Sequence, residues 1–187
     1  MSQVVILTGS PAAPSRTAGL AEFISKKLRD LGLSVSLVSV RDLPPEDLIF
    51  GRYDSSSLVE PIGLLKAADA VIVATPVYKA SYTGVLKAFL DLLPPLIFAN
   101  KPVLAIATGA TIAHLLSLRY TLEPLLAELG ATQILRSVYA VDQQIQWLDQ
   151  NRTQVSLEPE LEERLQASLT DFLGVIAPHQ ASLLTPT

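Results

Sequence analysis

The chain of 187 residues has the size of one ordinary domain, and with 49% hydrophobic and only 17% charged residues it can bury a full core rather than remain disordered. A net charge of −4 with no run of Lys and Arg disfavours nucleic acid and anionic membranes as partners. The lack of cysteine excludes disulfides, thiolate metal sites and cysteine nucleophiles, while the two histidines, His114 and His179, stand too far apart to suggest a zinc cluster.

Elements follow from the apolar pattern. The N-terminus passes directly into Val4-Val5-Ile6-Leu7 without a basic region or cleavage site, and no apolar run reaches spanning length, so a cytoplasmic protein is expected. Residues 4–8 form the first strand. From Thr17, the residues Leu20, Phe23, Ile24, Leu28 and Leu31 share one helical face, and Gly32 stops the helix. A second strand spans 33–39. Residues 43–57, with Pro44-Pro45 and little periodicity, read as an insertion or long loop whose Phe50, Arg52 and Tyr53 suggest contact with a second subunit or a substrate. A weaker helix over 58–68 leads to a strand at 70–74. A helix over 82–93 is closed by Pro94-Pro95 and precedes a strand at 102–107. The next helix covers 112–129, with Leu115, Leu122, Leu126 and Leu129 on one stripe and Gly130 beyond. A fifth strand follows at 133–141. The last helix opens near Ser156 with Pro159 in its first turn and presents Leu161, Leu165, Leu169, Phe172 and Leu173. Residues 1–177 are thus expected to form a single domain, and 178–187 a mobile tail.

Five strands alternating with five helices read as a doubly wound α/β fold. Three strands are continuously apolar, as strands covered on both faces are. Right-handed crossovers favour a flavodoxin-like five-stranded parallel sheet of order 2-1-3-4-5. Ligands of such sheets sit beyond the carboxyl ends of the strands, which singles out the loops 9–16, 75–82 and 108–113.

The first of these loops reads Gly9-Ser10-Pro11-Ala12-Ala13-Pro14-Ser15-Arg16-Thr17. Backbone N–H groups and a helix N-terminus face an anion there, Ser10, Ser15 and Thr17 offer hydroxyls, and Arg16 brings a full charge. Neither a G-x-x-x-x-G-K-[ST] triphosphate loop nor a G-x-G-x-x-G dinucleotide loop is present, which leaves a single terminal phosphate such as that of FMN. The plain alternative is an ordinary strand-to-helix turn with a capping hydroxyl. In the second loop, Pro76 holds the chain extended beside Val77, Tyr78 and Lys79, keeping backbone groups available to a planar ring that Tyr78 could flank. The third loop, Thr108-Gly109-Ala110-Thr111, has small residues where backbone approaches a ligand closely.

Together these loops resemble those of the NAD(P)H-dependent FMN reductase family, along nearly the whole chain up to the last helix. The family carries G-S-x-R-x-x-S, then P-E-Y-N followed by G-x-L-K. This chain has Gly9-Ser10-Pro11 with Ser15-Arg16, and Pro76-Val77-Tyr78-Lys79 with Gly84-Val85-Leu86-Lys87. The Pro-Val-Tyr-Lys variant and Thr108-Gly109-Ala110-Thr111 before Ala113-His114-Leu115-Leu116 are similar to the subgroup that supplies reduced FMN to alkanesulfonate monooxygenases. The resemblance implies that Ser10, Ser15, Arg16 and Thr17 hold the FMN phosphate. It further implies that Pro76, Val77, Tyr78, Lys79, Thr108, Gly109, Ala110 and Thr111 line the isoalloxazine. No covalent protein nucleophile is implied, since the flavin carries the chemistry. Lys79 replaces an asparagine, cannot accept a hydrogen bond, and is the candidate to stabilise charge on the reduced ring.

Pro124 lies inside the fourth helix and cannot donate to the carbonyl of Tyr120, so the ladder there must kink or widen into a π-bulge. Flavin-shuttling members of the resembled family carry an extra tyrosine at the matching place, which marks Tyr120. Elsewhere the simpler readings hold: Lys87 and Asp91 as an exposed ion pair, His114 as a capping or interface residue, Trp147 and Tyr139 as core or interface.

The expected activity is reduction of FMN by NADPH or NADH for a partner flavin-dependent monooxygenase of organosulfur assimilation, by a homodimer or homotetramer. The rivals are an FMN-retaining quinone, azo or metal-oxyanion reductase, and a flavodoxin-like electron carrier with no pyridine-nucleotide activity.

Overall fold

A computed structural model gives the structure of residues 2–183, with side chains to residue 176. Strands β1 (Gln3–Thr8), β2 (Ser34–Ser39), β3 (Ala70–Pro76) and β4 (Pro102–Gly109) run parallel, and the sheet order is β2-β1-β3-β4 followed by β5 (Gln133–Ile134), as the alternation predicts. No helix among the described residues is long and apolar enough to cross a membrane.

The fifth strand departs from expectation. It is broken into β5 and β6 (Val138–Val141), both paired with β4. Pro102 faces Gln133 and Val103 faces Ile134, whereas Ile106 faces Val138. The register therefore advances by one residue between the two segments, the signature of a β-bulge across 135–137.

Helices close both faces. Leu7, Leu65, Phe89, Phe98, Leu122 and Leu126 lie in the core on one side of the sheet. Ile6, Leu20, Ile24, Leu28, Leu161 and Phe172 lie on the other. All of these are at most 1% exposed, and truncating a phenylalanine such as Phe89 to alanine costs about 3–5 kcal/mol. The helices that pack on the two faces are α1 (Arg16–Asp30), α3 (Val59–Ala67), α4 (Gly84–Leu90), α5 (Glu123–Glu128) and α6 (Pro159–Leu183). Leu31 belongs to the C-cap of α1, outside the expected stripe, and is 61% exposed. The expected tail begins within α6, whose backbone is helical to Leu183; residues 184–187 and the side chain of His179 lie outside the described residues.

Two elements escaped the sequence reading. The segment 43–57 contains a short helix, α2 (Pro45–Ile49), started by Pro45. Asp47 ties the rest of the segment back: its carboxylate accepts from the Ser55 and Ser57 hydroxyls and from Arg52. Those hydroxyls hold the Asp47 carboxyl below its ordinary range. A hairpin of β7 (Ile145–Trp147) and β8 (Val155–Leu157) packs on the start of α1, so close that a Cβ on Gly19 would stand 2.7 Å from Val155 Cγ1.

The expected helix over 112–129 is three pieces. A 3₁₀ turn (Ile112–His114) leads through a short link to a π-helix (Leu118–Leu122), which runs into α5. The N–H of Glu123 reaches back five residues to the Leu118 carbonyl. Pro124, next in line, has no N–H to restore the four-residue spacing, so the ladder widens rather than merely bending. Leu122, Leu126 and Leu129 are buried as the stripe predicts, but Leu115 precedes the π-helix and is 45% exposed.

Candidate functional site at the carboxyl ends of β1, β3 and β4

Because β1, β3 and β4 are neighbours, the loops that leave them are gathered at one end of the sheet. The Gly9 N–H donates to the Ala74 carbonyl at 2.8 Å, and the Gly9 carbonyl accepts from the Thr83 hydroxyl. A Cβ at Gly9 would lie 2.6 Å from Leu86 Cβ, so glycine is what lets α4 pack against the loop. Ser10 is buried, and its hydroxyl accepts from the Ala12 N–H at 3.3 Å. Ser15 is the N-cap of α1, accepting from the Ala18 N–H at 3.4 Å. The N–H groups of Arg16 and Thr17, in the first turn, are among those a helix leaves without an internal acceptor.

Two predicted residues have partners that sequence could not supply. Arg16 donates its Nε–H to the Ile145 carbonyl of the hairpin at 3.2 Å, which fixes the guanidinium plane while leaving its Nη groups. The hydroxyls of Thr17 and Thr108 meet at 2.6 Å, both at most 2% exposed, and tie the first loop to the third.

The second loop is a tight reversal. Val77 donates to the Thr108 carbonyl at 2.8 Å, and Tyr78 and Ser81 exchange backbone hydrogen bonds of 2.8 and 3.1 Å. Lys79 and Ala80 between them have φ of 52° and 62°. Positive φ at both central positions is the pattern of a type I′ turn, which normally recruits glycine or asparagine. Two side-chain-bearing residues held there cost on the order of 1–3 kcal/mol each, and such strain concentrates at functional sites. Tyr78 and Lys79 are consequently presented to solvent, Tyr78 at 49% exposure.

Thr83 caps α4 behind this turn, accepting from the Leu86 N–H at 3.2 Å while it holds Gly9. Its own N–H donates to the Thr75 hydroxyl at 3.3 Å. Sequence reasoning missed this link, although a threonine ahead of an apolar helical run is a recognisable N-cap signal.

The third loop carries a reinterpretation of Gly109. A Cβ there would stand 2.2 Å from the Tyr139 hydroxyl. Small size at this position is therefore demanded by Tyr139 of β6. The phenol passes beneath the loop and donates to the Thr111 carbonyl at 2.7 Å. Tyr139 is 1% exposed, and burial, with a smaller push from Asp142, raises its pKa above the ordinary value, so it remains a protonated donor. Arg164 of α6 donates to the Tyr139 carbonyl at 2.9 Å and to the Gln144 side chain at 3.3 Å. Ala110 and Thr111 are exposed, and Thr111 caps the 3₁₀ turn that contains the half-buried His114.

Lys87 and Asp91 form the expected exposed pair at 2.6 Å. Tyr120, within the π-helix, is 71% exposed, and Pro124 sits at the start of α5.

This sheet order, with three polar loops joined by buried hydroxyls at one end, defines a flavodoxin-like protein. Residues 2–146 match the family described as NADPH-dependent FMN reductase. An FMN reductase (NADPH) of Escherichia coli (strain K12) is 43% identical over 170 residues, covering 91% of this chain and 87% of its own. An FMN reductase (NADPH) of Pseudomonas putida (strain KT2440) is 44% identical over 174 residues, covering 93% and 88%. Among solved structures, the apo form of an NADH:FMN oxidoreductase (EMOB) superposes with a TM-score of 0.80 at 36% identity, over 92% of this chain and 88% of that one. The chain belongs to the NADPH-dependent FMN reductase family and is an oxidoreductase.

Proposed function

We propose that this enzyme uses NADPH or NADH to reduce FMN taken up as a substrate, and releases the reduced flavin to a separate flavin-dependent monooxygenase of organosulfur assimilation. The observation that carries the FMN reading is the first loop. Its donor set consists of first-turn amides of α1, serine hydroxyls and an arginine braced through Nε, which suits a phosphate dianion. Ser10, Ser15 and Arg16 are the proposed phosphate ligands, with Thr17 contributing its N–H, since its hydroxyl is engaged by Thr108. Pro76 to Lys79 and Thr108 to Thr111 are the proposed lining of the isoalloxazine, and Lys79 the proposed counter-charge. FMN supplies the electron-accepting chemistry when bound; the protein's part is to orient the ring and exclude competing geometries.

Tyr78, Lys79, Ala110 and Thr111 are exposed, so the proposed ring site is accessible to flavin arriving from solution. The relatives named FMN reductase (NADPH) favour NADPH, whereas the structural neighbour is named for NADH. Assembly into a homodimer or homotetramer is supported by the exposed apolar side chains of Ile112, Leu115, Leu116 and Tyr120.

Steady-state oxidation of NADPH and NADH with FMN, FAD and riboflavin as acceptors tests the reading. Turnover that saturates with free FMN is expected. An enzyme that purifies coloured and reduces quinones or azo dyes without added flavin would establish the flavin-retaining rival.

A further inference from the structure

We propose that Tyr139 is a positioning residue for the flavin ring: its hydroxyl fixes the height of the third loop by holding the Thr111 carbonyl across Gly109. The inference rests on the FMN reading above and extends it to a residue buried outside the exposed loops.

Three observations converge on it. First, the phenol is core in every respect except its tip: at 1% exposure it lies opposite Ala107 in the same apolar layer as Leu118, while the hydroxyl leaves that layer to donate to Thr111 at 2.7 Å. A buried tyrosine places its hydroxyl against a partner or suffers its desolvation, and here the partner is a loop backbone atom at the candidate site. Second, the space over Gly109 is filled by that hydroxyl, so the loop backbone rests directly on the side chain. Third, Tyr139 is itself held from behind, its carbonyl accepting from Arg164 at 2.9 Å. The support therefore runs from α6 through β6 to Thr111, and Thr111 caps the 3₁₀ turn leading toward the π-helix.

A support of this kind should act on flavin affinity and leave the electron transfer itself little changed. It should also act on the ring rather than on the phosphate, because the residues it holds stand in the third loop and not the first. Loss of one neutral hydrogen bond that sets a loop corresponds to roughly a three- to tenfold loss of affinity.

The experiment compares wild type with Tyr139→Phe, which keeps the aromatic volume in the apolar layer. Dissociation constants for FMN and riboflavin come from flavin fluorescence titration, kcat and KM from NADPH oxidation, and folding from circular dichroism and thermal melting. Weaker binding of both flavins by a common factor of three to ten, a raised KM for FMN and a kcat within twofold are expected. Unchanged affinity in the variant would overturn the inference while leaving the FMN reading intact. A wild type that binds neither flavin would instead overturn the FMN reading itself. Failure of Tyr139→Phe to fold would also overturn the inference, since the hydroxyl would then serve the core. A second comparison adds a readout that general destabilisation does not move. Gly109→Ala should weaken flavin binding strongly, and Tyr139→Phe introduced with it should recover part of the loss by removing the atom 2.2 Å from the new Cβ. No recovery would count against the contact.

Discussion

Thr17 and Thr108 place their hydroxyls 2.6 Å apart in a region closed to solvent, joining the first turn of α1 to the end of β4. Replacing either by valine leaves the other hydroxyl buried without its partner, at a cost of about 1–3 kcal/mol. Replacing both removes the orphan. Urea unfolding of Thr17→Val, Thr108→Val and the double variant should give a double loss smaller than the sum of the single losses, and strict additivity would show that the hydroxyls do not interact.

Arg16→Ala should separate phosphate recognition from ring recognition. A charge-assisted hydrogen bond contributes roughly 1.5–3 kcal/mol, so FMN should bind about tenfold or more weakly while riboflavin is little affected. Because Arg16 also braces the hairpin at Ile145, a small loss of thermal stability should accompany the change. Equal affinity of the wild type for FMN and riboflavin would sink the phosphate-loop assignment.

The residence time of FMN should be short. At an association rate on the order of 10⁶ per molar per second, a nanomolar complex releases ligand at only ~10⁻³ per second. Enzyme turnover is commonly about 10 per second. A flavin-supplying reductase thus requires an FMN dissociation constant nearer micromolar. Nanomolar affinity with flavin surviving gel filtration would favour the rival that keeps its cofactor.

Tyr120→Ala should alter flavin release or the distribution of oligomers before it alters the fold. Tyr120 is exposed, so its removal empties no core, but it lies in the π-helix downstream of the third loop. Sedimentation and FMN titration beside wild type provide the measurement. If assembly, affinity and turnover are all unchanged, Tyr120 is a surface residue with no functional part.

Asp47 sets a pH dependence in the segment 43–57. Its folded pKa lies below 3.8, chiefly through the Ser55 and Ser57 hydroxyls. The stability it contributes is therefore present above the unfolded carboxylate pKa of about 3.9 and is lost as pH falls through the lower folded value. Asp47→Asn should be less stable than wild type at pH 7, with the gap narrowing below pH 4. A gap independent of pH would remove the carboxylate from the account.

Sequence periodicity exposed the sheet because β1, β3 and β4 are buried on both faces and α1 carries a clear stripe at Leu20, Ile24 and Leu28. The loops at the carboxyl ends of β1, β3 and β4 were equally legible, since their small residues and hydroxyls break the apolar pattern. What stayed hidden depends on partners distant along the chain. Arg16 meets Ile145 across 129 residues, and Thr17 meets Thr108 across 91. The hairpin was missed because its strands have only three residues each, too few for a period to register. Helix continuity over 112–129 was overestimated because side-chain spacing does not report which carbonyl each N–H selects. Pro124 alone marked the break.

The bulge across 135–137 decides the parity of everything that follows it on the edge of the sheet. With the extra residue, Tyr139 lies opposite Ala107 and shares the face of Val103 and Ala105. Were the same residues paired in the unbroken register of β5, Val138 would stand opposite Ala107, and the tyrosine would turn to the other side, away from Thr111. A one-residue slip of β6 that irons out the bulge would preserve parallel pairing with β4 and still dismantle the site from beneath, whereas deleting one residue of 135–137 would leave Tyr139 opposite Ala107. A single unpaired position at the edge thus acts as a phase shifter, selecting which side chain reaches the loop.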